Sequence, residues 1–190
     1  MKKTVMSLFI ASMVASGSAM AATNDSSSTQ LNFNGKVTSS LCQINTADTA
    51  GIDINLGEVQ ATALANGTSK PQSFTVNLEN CDPTVNSIKY QITSKNQGDS
   101  NYISPDAGDT SATNVGVFLT TADASGANPI TLGDEQTATV INGIGGNAAP
   151  NQKIELQAYM KKVGAKDVTA GNVNAVGFIT VKAAVTPPGL

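Results

Sequence analysis

Histidine, tryptophan and arginine are missing from this chain, and only two of its 190 residues are cysteine. Without histidine there is no Ser-His or Cys-His nucleophile pair, and the imidazole sites of zinc and copper enzymes cannot be built. Acidic residues outnumber lysines 14 to 11. No cluster of cations is on offer to a phosphate backbone, which argues against nucleic acid as a partner. Serine and threonine abound, but nothing marks a Ser-Lys dyad or any other activated hydroxyl. This composition is poorly equipped for catalysis and calls for no cofactor.

Long apolar runs are equally scarce. The one from Val5 to Val14 follows Lys2 and Lys3 and precedes the small residues Ala19-Met20-Ala21. That three-part pattern is a secretory signal peptide over residues 1–21, cleaved after Ala21 and too short to span a bilayer. The remaining 169 residues suffice for one domain with a core, and nine lysines against fourteen acidic residues leave a net charge of about −5. In a secreted chain, two cysteines read as a disulfide rather than a metal site. A bond between Cys42 and Cys81 would tie the first strand to the end of a later one, stabilising the fold by about 4 kcal/mol in the chain-entropy model.

What is present is alternation. Residues 22–30 are small and polar, a leader with nothing to bury. From Leu31, apolar and small residues share one face through Phe33, Gly35 and Val37, and the phase changes around Cys42. Further strands are expected at Ile52–Leu56, Phe74–Leu78, Ile88–Ile92, Val115–Leu119 and Ile154–Met160. Weaker strand signals run from Ile130 to Ile141, and the last and longest run goes from Val173 to Ala183. One or two helical turns fit between Glu58 and Ala65, stopped by Asn66-Gly67. Residues 94–113 read as a long surface loop and Gly143–Asn147 as another. Seven or eight short strands without a long helix indicate an all-β sandwich.

Other clusters read as ordinary surface. Asp99, Asp106 and Asp109 lack the ligand spacing of a calcium loop. Gly143, Gly145 and Gly146 are followed by neither the lysine nor the helix that a phosphate loop requires. Lys161 and Lys162 fit a charged strand end that discourages stray pairing.

Six segments, in order, carry a resemblance: Leu31–Val37 leading to Cys42, Ile54–Val59, Phe74–Cys81, Ala112–Val117, Leu156–Ala158 and Ala170–Ala175. Together they resemble subunits of chaperone-usher fimbriae, related to the major pilins of type 1 fimbriae. The resemblance implies an incomplete immunoglobulin-like β-sandwich, the pilin fold, completed by a donor strand from a neighbouring subunit. It implies a structural, non-enzymatic shaft subunit in a homopolymer, exported through the periplasm to the cell surface. The implied partners are other fimbrial subunits, a periplasmic chaperone and an outer-membrane usher. The alternative is a minor or tip-proximal subunit whose loops 94–113 and 143–151 meet a host receptor.

Carried over to this sequence, the disulfide joins Cys42 and Cys81, the donor extension is residues 22–32, and the pilin domain is residues 33–190. Thr23, Asp25, Ser27, Thr29 and Leu31 lie in phase along the donor, and which parity enters the groove stays open. Phe33, Val37, Ile179 and Val181 are candidates for the groove walls, and a chaperone would pair with the last strand. The chain departs from the family in two places. Residues 23–30 contain no large apolar side chain and no glycine, and the tail at 184–190 ends Thr-Pro-Pro-Gly-Leu where an aromatic near the end is usual.

Overall fold

The computed structural model describes residue 30 and residues 32–33, 42–96, 99–122 and 127–185. The expected signal peptide, Thr23, Asp25, Ser27, Thr29, Leu31 and Val37 lie outside the described residues, as does the tail from Thr186.

The described residues from 42 to 185 form two antiparallel sheets. The strands in chain order are β1 (Gln43–Ile44), β2 (Gln72–Glu79), β3 (Ser87–Ser94), β4 (Val115–Thr121), β5 (Glu135–Ala138), β6 (Gln152–Lys162) and β7 (Gly177–Ala184). One sheet has the order β1-β2-β6-β4 and the other β5-β3-β7. Alternation puts Val76 and Leu78 of β2, Val117 and Leu119 of β4 and Ile154, Leu156 and Ala158 of β6 on one inner face. Ile88, Tyr90 and Ile92 of β3 occupy the other, and all of these side chains join one buried cluster. The shared cluster makes the pair of sheets a sandwich.

The disulfide between Cys42 and Cys81 ties the entry to β1 to the residue beyond β2, 39 positions on. It reinforces a strand pair only two residues long, Gln43 with Glu79 and Ile44 with Leu78. Asp48, in a short 3-10 turn (Asp48–Ala50), continues the tie: its carboxylate accepts from the backbone and side-chain nitrogens of Asn77 at 2.7 and 3.1 Å. The helical turns expected near residues 58–65 are α1 (Ala61–Asn66). No side chain caps this helix; burial of Leu64 against Val115 and Met160 holds it.

Three expectations are corrected. Ile52–Leu56 is not a ladder strand. Its apolar residues are half-buried and its polar ones exposed, as a strand would have them, yet it pairs with no strand among the described residues. Alternation reports a buried face and says nothing of a main-chain partner. Residues 94–113 are not all surface: Ile103 is buried and exchanges backbone bonds with Val117 at 2.8 and 3.1 Å. The last strand begins at Gly177, because Asn172 and Asn174 bond instead to the backbone of Asp106, Thr110 and Ala112.

Candidate functional site

Each sheet of a sandwich has two edges, and an unpaired edge is a template for another strand. In the four-stranded sheet one edge is the two-residue β1. The other, β4, is covered by Ile103, which bridges Val117, and by Pro129, which bridges Thr120; Ile130 also donates to the carbonyl of Leu119 at 3.0 Å. In the three-stranded sheet β5 is four residues long. The remaining edge is β7, eight residues, paired on one side with β3 over its whole length and with no strand on the other among the described residues.

Its side chains record the same one-sidedness. Ile88, Tyr90 and Ile92 of β3 are 1, 2 and 4% exposed. Their cross-strand partners Ala183, Val181 and Ile179 point into the same core but are only half-buried. Burial therefore falls off within one strand spacing, less than 5 Å. The outer face carries Phe178, 56% exposed, with Thr180 and Lys182.

Backbone direction follows from two hydrogen bonds at the ends of the pair. The carbonyls of Val176 and Ala184 accept from Lys95 and Asn86, so even-numbered residues of β7 turn their main-chain groups toward β3. Antiparallel geometry then turns the N–H and C=O groups of Ile179, Val181 and Ala183 outward, to the open edge. The residues with half-buried apolar side chains are those whose main-chain groups have no partner among the described residues, which is the chemistry strand addition requires.

Exposed ion pairs link the strands on the outer face of this sheet. The Glu135 carboxylate on β5 accepts from Lys89 of β3 at 2.6 Å and lies 3.5 Å from Lys182 of β7. The hydrogen bond from Lys89 holds the Glu135 carboxyl below its usual range. In the loop expected to be solvated, Asp106 is also held low, first by a hydrogen bond from Asn96 and then by Lys95. Among the described residues no group of three or more His, Cys, Asp or Glu side chains is placed to hold a metal ion.

Of the candidate groove residues, Ile179 and Val181 lie on the inward face of β7, Phe33 is 89% exposed, and Val37 lies outside the described residues. Sequence reasoning missed Ala183 as a third member of the β7 row, although its phase with Ile179 and Val181 was legible.

The profile of the fimbrial protein family matches residues 31–183. Fimbrial protein 987P of Escherichia coli is 42% identical over 197 aligned residues, covering 98% of this chain and 99% of that protein. The chain belongs to the fimbrial protein family. Among solved structures, the P pilus rod subunit PapA superposes with a TM-score of 0.59 at 22% identity, over 76% of this chain and 99% of that one. A subunit from a chaperone-usher pilus matches with the same score at 24% identity, over 86% and 100%. The fimbrial protein described here thus has the pilin sandwich. It is a structural subunit that assembles into surface fimbriae, and it is not an enzyme.

Proposed function

We propose that this fimbrial protein is a shaft subunit that polymerises by donor-strand exchange, the extension at residues 22–32 of one copy adding to the β7 edge of another. The observation that carries the reading is the coincidence on β7 of outward main-chain groups with half-buried Ile179, Val181 and Ala183. An added strand bonds the first and covers the second. Likeness to a rod subunit and to a chaperone-usher pilus supports the same reading.

Energetically the joint rests more on backbone than on side chains. Each new main-chain bond contributes roughly 0.5–1.5 kcal/mol net. Completing the burial of Ile179 and Val181 adds about half of the 1.5–3 kcal/mol of a full burial each. Residues 23–30 supply no large apolar side chain in return. Phe33 is exposed and in phase with Thr29 and Leu31, and we place it with the donor as its aromatic anchor rather than with the groove wall.

A β7 edge left open would seed aggregation during export. A periplasmic chaperone strand occupies it first in this scheme, and an outer-membrane usher passes the subunit to the growing fibre. Deleting residues 22–33 from the mature chain, which removes the extension and Phe33 together, tests the donor assignment. The shortened subunit is expected to fold and accept a strand but to form no polymer of its own. Long polymers of the shortened subunit alone would overturn the assignment.

A further inference from the structure

Ile144 is fully exposed, at 104% of its reference area, in a loop that is otherwise glycine and asparagine. The loop is firmly based. Asn142 bridges Ala148, the N–H of Gly143 donates to the carbonyl of Asn147 at 2.8 Å, and Ala148 donates to the carbonyl of Pro83 at 3.1 Å. Beneath it the buried Gln152 side chain accepts from the N–H of Ile141 at 2.7 Å and donates to the carbonyls of Ile141 and Ala149 at 2.7 and 2.9 Å. Gly145 and Gly146 have φ of 87° and 82°, which lets the chain turn tightly after the isoleucine. The result is one apolar side chain held out on a fixed mount.

A surface pocket of about 280 Å³, open to solvent, lies between the 102–115 segment and the end of β6. Tyr102, Pro105, Ala107, Ala112, Val115 and Val163 form its apolar walls. Its shape is also fixed. A Cβ on Gly116 would collide with the Tyr102 ring, so glycine there lets the ring lie against β4. Val163 donates to the carbonyl of Asn114 at 2.9 Å, and Lys95 and Asn96 pin Asp106 at 3.2 and 2.8 Å.

The two features stand at opposite ends of one strand. The Ile144 loop sits at the start of β6, where Gln152 lies, and the pocket takes in Val163, just past its end. At about 3.3 Å per residue, the eleven residues of β6 separate them by roughly 33 Å along the sandwich. We infer that Ile144 of one copy seats in this pocket of a neighbouring copy in the same fimbrium, a second head-to-tail contact beside the donor strand. The inference rests on the polymer reading above, which is what makes a second copy the occupant. Two different patches at opposite ends of one subunit make a heterologous contact, and repeating it builds an open filament rather than a closed ring.

Both native cysteines are joined to each other, so introduced cysteines report cleanly. Fimbriae bearing Ile144→Cys and Ala107→Cys together are oxidised, boiled in SDS and run without reductant, beside each single variant and the unaltered protein. The expected result is a series of multimers from the double variant that reductant removes, with monomer from both singles. Monomer from the double variant, or multimers from Ile144→Cys alone, would overturn the contact. A wild-type sample that gives no multimers even unboiled would instead refute the polymer reading beneath it. Independently of cysteine, Ile144→Asp fimbriae should keep their boil-labile multimers but shear into shorter fibres. Unchanged fibre length would count against the contact.

Discussion

Glu135 shows how little a single exposed charge does for this fold and how it can still be read. It joins β5 to β3 through Lys89 and reaches Lys182 on β7, binding the three strands on their outer face. Its carboxyl is held low by the hydrogen bond from Lys89. A group whose folded pKa is depressed contributes stability above its unfolded pKa and loses that contribution as pH falls toward the folded value. Glu135→Gln should therefore lower the melting temperature slightly at neutral pH and leave it almost unchanged once acid has protonated the carboxyl, below its depressed folded value. Thermal unfolding of both proteins across that range checks this. An equal difference at both ends would show that charge is not the cause.

At the scale of elements, the strands that bury one face were the legible ones. Val76 and Leu78, Ile88 to Ile92, Val117 and Leu119, and Ile154 to Met160 alternate in sequence and are buried in the fold. Ile52–Leu56 alternates just as clearly and forms no ladder, because periodicity sees burial and not pairing. β5, Glu135–Ala138, carried little signal since it has no large apolar residue. Ile103 was hidden in a polar segment; its backbone exchange with Val117 brings its side chain into the shared core. The site was half legible. Ile179 and Val181 stood out by phase, whereas the openness of their strand depends on sheet order, which no local pattern encodes. The pocket opposite Ile144 is assembled from segments about fifty residues apart and had no sequence signature.

The outward direction of the odd-numbered β7 residues yields a prediction for that element. Ala183→Pro removes an edge N–H but no bond of the β3–β7 ladder, and edge strands tolerate proline at such positions. The variant subunit should melt close to the unaltered one yet accept a donor strand far more weakly. Polymer yield and thermal unfolding, measured together, separate the two effects. Full polymer yield at normal stability would mean that the strand is added elsewhere.

For the whole molecule, two properties matter to the proposed polymer: a sandwich stable enough to fold and, among the described residues, a strand edge left without a partner. The disulfide and the shared core fix the first property; the eight-residue edge of β7 gives the second. A joint made by inserting a strand into a fold opens only by crossing an unfolding-like barrier, so its stability is kinetic. The most direct measurement is a denaturing gel of fimbriae sheared from the cell surface, loaded with and without boiling in SDS. Donor-strand exchange at β7 predicts a series of subunit multiples in the unboiled lane that collapses to monomer on boiling. Monomer in both lanes would contradict it.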